Sequence, residues 1–123
     1  MKPIGMELAW ITVSDIKQAI DFYTKTIGFK LEEFNEHYGW AELSGKTGAR
    51  LGLAQQSKEF GSKAGMNAVV TITVDDIEQA RQALKKDQVK LIGDVMEVPG
   101  EVKMQTFTDS DGNMFQICEL LKK

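Results

Sequence analysis

Apolar and polar positions alternate with a period of two over eight stretches of the chain, at about 6–13, 30–35, 38–44, 49–55, 67–74, 89–95, 102–108 and 113–120, and each predicts a β-strand. Two stretches keep a different rhythm. Ile16, Ala19, Ile20, Tyr23 and Ile27 recur at helical spacing, as do Ile77, Ala80 and Leu84, so a short one-sided helix should follow the first strand and the fifth. Asp15 stands three residues before Gln18 and Asp76 three before Gln79, the spacing of a capping box, so both helices are expected to begin there. Gly28 supplies the stop of the first, and Lys85 and Lys86 sit near the negative end of the second. Gly45 with Gly48, Pro99-Gly100 and Asp111-Gly112-Asn113 supply turns between strands.

The pattern occurs twice. Shifted by 61 residues, Ile11, Thr12, Val13, Asp15, Ile16, Gln18 and Ala19 fall on Ile72, Thr73, Val74, Asp76, Ile77, Gln79 and Ala80, seven identities in nine positions. With one residue deleted, Lys30-Leu31 falls on Lys90-Leu91. The chain therefore reads as two copies of one strand-helix-strand-strand-strand unit. Module one spans about 6–56, a polar, glycine-bearing linker about 56–65, and module two about 66–121, within a single domain of 1–123. Each helix covers one face of its sheet. Pairing the two open faces would enclose a cup, which one copy cannot close alone.

Composition removes several classes of function. With 42% hydrophobic and 27% charged residues the chain is ordinary for a globular domain, and its net charge of −3 is interspersed, so no basic stripe tracks a phosphate backbone and no nucleic-acid partner is expected. No apolar run approaches the roughly 20 residues that span a membrane. The amino terminus MKPIGMELAW lacks a signal peptide's apolar stretch, and the single cysteine, Cys118, forms no internal disulfide, so a cytoplasmic location and no membrane partner are expected. No phosphate-cradling glycine motif occurs. The one histidine, His37, lies in the NEHYG turn and reads as a solvated imidazole, and Cys118 as a small buried residue, so no nucleophile has its base. DSDGN reads as a β-turn, since Gly112 comes too early for a calcium loop and no glutamate closes it.

The doubled unit, with ELAWITVSDIKQAIDFYTKTIGF, the DDIEQA echo and the closing TDSDGNMFQICEL, resembles the vicinal oxygen chelate superfamily of glyoxalase I, extradiol dioxygenases and bleomycin- or fosfomycin-resistance proteins. The resemblance covers essentially the whole chain. It implies an α+β fold in which two βαβββ modules in tandem form a curved mixed-sheet cup with helices outside. It also implies a homodimer, with the cup closed either within one chain or across a pair exchanging modules. Enzymes of that superfamily hold a divalent metal at four equivalent strand positions, which fall here on Leu8, Gly52, Val69 and Gln116. Three of these offer no donor and the fourth a single amide, so neither a metal nor another cofactor is expected. A register slip to Glu7, Ala68 and Phe115 still yields at most one ligand.

Strand alternation then assigns the cup's lining. Leu8, Trp10 and Thr12 face it from the first strand, Val69, Thr71 and Thr73 from the repeat, and Met114, Gln116 and Cys118 from the last strand. Trp40, Glu42 and Ser44 face it from the third strand, with Gly52 on the fourth. An apolar, aromatic lining with few polar anchors suits a small-molecule ligand, and tryptophan faces suit planar or cationic groups. Trp10 and Trp40 either line such a cavity or fill the core between sheets or against a partner subunit. Three functions fit: a metal-free protein that sequesters or senses an apolar or aromatic, even cationic, small molecule; a divalent-metal-dependent lyase, isomerase or dioxygenase with ligands elsewhere; or a metal-free enzyme with Glu42 as general base.

Overall fold

Asp15 and Asp76 open the two helices in nearly the same geometry, with φ/ψ of −140/103° and −139/108°, and each side chain accepts a hydrogen bond from the backbone N–H three residues on, Gln18 or Gln79, at 3.1 Å. The computed structural model describes residues 2, 4, 8–58, 63–65 and 70–121. An extended residue whose carboxylate satisfies an otherwise unpaired helix N–H is the expected start, and its loss to alanine typically costs about 1 kcal/mol.

The chain divides into two compact units, Met1–Asn67 and Ala68–Lys123. In the first, β1 (Leu8–Val13) leads into α1 (Ile16–Asp21), then β2 (Lys30–Asn35), β3 (Trp40–Ser44) and β4 (Arg50–Gln55). The sheet order is β1-β4-β3-β2, with β1 and β4 parallel and the other pairs antiparallel. The second unit repeats this with β5 (Val70–Thr73), α2 (Ile77–Lys86), β6 (Lys90–Val98), β7 (Val102–Thr108) and β8 (Met114–Leu120), in the order β5-β8-β7-β6. The fold is α+β, two βαβββ modules in tandem. The repeat extends to register, because Trp10 pairs with Gly52 as Thr71 pairs with Gln116.

Each helix packs its apolar stripe on one face of its own sheet. Ile16, Ile20 and Tyr23 are buried with Ile11, Val13, Ala41, Leu43, Leu51 and Leu53, and Ile77 and Leu84 with Phe107, Phe115 and Ile117. The last strand of each module also anchors its helix: Gln55 Oε1 accepts from the Ile16 N–H, and Glu119 Oε1 from the Ile77 N–H, both at 2.9 Å. The DSDGN segment is a turn closed on itself. Asp109 Oδ1 accepts from the N–H groups of Asp111 and Asn113, and Oδ2 from the buried Asn113 amide.

Three expectations need correction. The first helix is not regular to Gly28: it passes into a π-helical turn over Phe22–Thr26, where Ile27 N–H and Gly28 N–H donate to the carbonyls of Phe22 and Tyr23 five residues back. This is where the repeat carries its extra residue. Gly28 (φ 99°) and Gln88 (φ 61°), equivalent after the deletion, both take the left-handed conformation that ends the helix, and the π turn fits one more residue between cap and stop. The sixth strand runs beyond 95 to Val98, because a bulge between Ile92 and Met96 restores its pairing with β7. The third strand begins at Trp40, residues 36–39 being taken up by the hairpin turn.

Candidate functional site

On the face of the first sheet turned away from α1, Trp10, Gly52, Glu42 and Glu33 are successive neighbours across four strands, and Thr12, Ala54, Trp40 and Asn35 form the next row. Gly52 makes this arrangement possible. A Cβ there would stand 2.5 Å from Cη2 of Trp40 and 2.8 Å from Cβ of Trp10, so only glycine lets the Trp40 ring lie across the strand. The two indoles meet edge to face, with centroids 6.3 Å apart and planes at 64°. Trp10 is 51% exposed.

Glu42 fixes the second ring. Its Oε2 accepts the Trp40 indole N–H at 3.0 Å, and its Oε1 accepts from Arg50 Nη1 at 3.0 Å. The Trp40 hydrogen bond, then that from Arg50, holds the Glu42 carboxyl below the ordinary carboxylate range. Glu32 continues the network: it accepts from the Ser44 hydroxyl at 2.9 Å and lies 3.6 Å from Lys30 Nζ and 4.0 Å from Arg50 Nη2. Its carboxyl is also lowered, chiefly by Ser44 and then by Lys30. A carboxylate so engaged on both oxygens is a poor proton acceptor, which weighs against Glu42 as a general base.

Beside these rows a shallow pocket of about 420 Å³ opens at the β2–β3 hairpin, lined by Glu33, Phe34, Asn35, Tyr38 and Trp40. The hairpin is braced by the Asn35 side chain, which accepts from the Tyr38 N–H at 3.1 Å, and by His37, whose ring stands against Tyr38 with centroids 4.9 Å apart. His37 itself is exposed.

The structure brings Trp10, Trp40, Glu42 and Gly52 together, with Leu8 beside Arg50 and Thr12 buried on the same face. In the second module Thr71 and Gln116 are cross-strand partners, the threonine hydroxyl donating to the Gln116 amide oxygen at 3.4 Å. Thr73 Oγ1 lies 3.8 Å from Sγ of the buried, free Cys118, and Met114 is 41% exposed. Val69 lies outside the described residues. Arg50, Glu33 and Tyr38 escaped the sequence reasoning. Arg50 reaches Glu42 diagonally across β3 and β4, a contact that alternation alone does not reveal.

The metal positions do not fit a metal. Leu8 and Gly52 carry no donor, and the one amide oxygen, of Gln116, is engaged by Thr71. Among the described residues no group of three or more His, Cys, Asp or Glu is arranged as ligands. No helix among them is long and apolar enough to cross a membrane.

Two four-stranded mixed sheets, each parallel at one pair and backed by one helix, define the fold of the glyoxalase class. The chain belongs to the Glyoxalase/Bleomycin resistance protein/Dioxygenase superfamily, whose profile matches residues 5–117. It is similar to a member of that superfamily from Sphaerobacter thermophilus DSM 20745, at 25% identity and a TM-score of 0.80, over 95% of this chain and 98% of that one. It shares its fold with TnmS3, an antibiotic binding protein from Streptomyces sp. CB03234, at 23% identity and a TM-score of 0.81, over 98% of each chain. An integron cassette protein from the mobile metagenome of V. cholerae has the same fold, at 22% identity and a TM-score of 0.77, over 97% of each chain. No curated protein matches the chain.

Proposed function

We propose that this protein is a metal-free binding protein that sequesters or senses an apolar or aromatic small molecule, cationic aromatics included, on the face that carries Trp10, Gly52 and Trp40. The observation that carries the reading is Trp10: a tryptophan in mid-strand, half exposed and packed edge to face on a second indole that Glu42 holds in place. Rigid aromatic surface left in water is what a planar ligand covers. The donor-poor side chains at Leu8, Gly52 and Gln116 support the metal-free part, and the fold shared with an antibiotic binding protein makes antibiotics the first compounds to screen. The reading includes a cytoplasmic homodimer, whose mass sedimentation equilibrium measures.

Tryptophan-fluorescence and calorimetric titration against antibiotics and aromatic metabolites tests it. Saturable quenching that is lost in Trp10→Ala is the expected result. Stoichiometric nickel, zinc, manganese or iron surviving dialysis would overturn it in favour of a metal-dependent lyase, isomerase or dioxygenase.

A further inference from the structure

The geometry points to a subsite for an organic ammonium group in the pocket at the β2–β3 hairpin, with Glu33 as its counter-ion and Trp40 and Tyr38 as its aromatic walls. The inference rests on the small-molecule reading and shares Trp40 with it, but adds Glu33 and Tyr38. Three observations converge. The pocket holds about 420 Å³, room for a substituted ammonium, and Tyr38 and Trp40 line it with aromatic rings, whereas Phe34 pairs with the buried Ala41 and turns its ring to the opposite face. Aromatic faces attract a cation through the ring quadrupole, tryptophan most strongly.

The lining also carries one charge, and it is negative. Glu33 pairs across the strands with Glu42, whose two oxygens are taken by Trp40 and Arg50. Among the described residues no Lys or Arg lies within 4.0 Å of Glu33. Lys17 is committed to Glu36 at 2.9 Å and Lys30 to Glu32 at 3.6 Å, while Arg50, 3.0 Å from Glu42, acts on Glu33 through its charge without forming an ion pair, and the Glu33 and Glu42 carboxyls also interact. A carboxylate lining an aromatic-walled pocket, with no ion pair among the described residues, selects for positive charge and against an anion of the same shape.

One wall is set before a ligand arrives. Trp40 is held by its indole N–H on Glu42, while Asn35 fixes only the Tyr38 backbone and the Tyr38 ring, 76% exposed, rests against His37. A pre-organised site loses less entropy on binding.

Choline and its neutral carbon isostere 3,3-dimethylbutan-1-ol test the subsite on the full chain, followed by NMR at the Trp40 indole N–H and the Tyr38 amide. The expected result is that choline binds about tenfold more tightly than the isostere. Glu33→Gln should weaken choline about threefold and leave the isostere unchanged, and Tyr38→Leu should weaken choline while the fold persists. Equal binding of the pair, no shift at either reporter, or an unaltered preference in Glu33→Gln would overturn the inference. A neutral aromatic titrated against Trp10 fluorescence separates the two readings. If that compound binds and choline does not, the subsite is wrong and the wider function stands; the reverse outcome keeps the subsite and removes the Trp10 face.

Discussion

The indole N–H of Trp40 donates to Oε2 of Glu42 at 3.0 Å over one intervening residue, Ala41, which is fully buried in the opposite face of the strand. The Glu42 carboxyl is held below its ordinary range by that bond and then by Arg50, so it binds a proton less readily folded than unfolded. Its stabilising contribution is therefore complete above the unfolded pKa, about 4.3, and is lost as pH falls through the lower folded value. Glu42→Leu should be less stable than the parent at neutral pH, with the gap closing below about pH 4. Urea midpoints at pH 7 and pH 3 read this directly. An unchanged gap would mean the carboxylate does not hold Trp40 through its charge.

Gly52→Ala tests whether the tryptophan pair depends on glycine. The added methyl would meet both a movable ring atom of Trp40 and the Cβ of Trp10, which cannot move without its strand. Shifting the Trp40 ring relieves one contact and a small displacement of β1 against β4 the other, so the edge-to-face pair should open, with about 1–3 kcal/mol of stability lost. Near-ultraviolet circular dichroism should change while the far-ultraviolet spectrum is kept. An unaltered near-ultraviolet spectrum would contradict the packing.

Most of the backbone was legible in the sequence because the signals repeat: Asp15 and Asp76 mark both helix starts, and alternation separates Trp40, Glu42 and Ser44 from the buried Ala41 and Leu43. What was not legible depends on side-chain reach. Nothing in the spacing of Glu42 and Arg50 announces that they meet, and Gly52 reads as a vanished ligand until the ring lying over it is seen. The π turn did leave a trace, the one-residue mismatch in the repeat, but a mismatch locates an insertion only to a loop or a helix. The bulge in β6 left Gly93, a mid-strand glycine at φ 69°, as its trace, but alternation alone did not read it, and its clasp, Gln105, comes from another strand.

Gln88 takes φ 61° where the first module places Gly28. A left-handed residue with a Cβ costs about 1–2 kcal/mol, part of which glycine returns through the entropy of the unfolded chain. Gln88→Gly should therefore stabilise the protein by about 0.5–1 kcal/mol, and Gly28→Ala should destabilise it. Denaturant midpoints at constant m check both. A loss of stability in Gln88→Gly would show that the Gln88 side chain contributes something the helix ending does not require.

Gln105 is fully buried in β7, and its Nε2 lies within 3.1 Å of the carbonyl oxygens of Ile92, Gly93 and Thr106, while its Oε1 accepts from Arg81 Nε at 2.8 Å. One side chain thus satisfies the carbonyls that the β6 bulge turns inward and ties α2 to the sheet. Gln105→Leu keeps the volume and removes every one of these bonds, leaving partly buried carbonyls and the Arg81 Nε without their partner, so about 1–3 kcal/mol should be lost. Arg81 is also paired with Glu78 at 2.8 Å, which leaves it a second partner on the helix. Arg81→Met alone should therefore cost less than Gln105→Leu, and the double variant less than the sum, since the leucine has already broken the shared bond. Strict additivity in urea unfolding would mean that Arg81 and Gln105 act independently, and that the bulge carbonyls alone account for the buried amide.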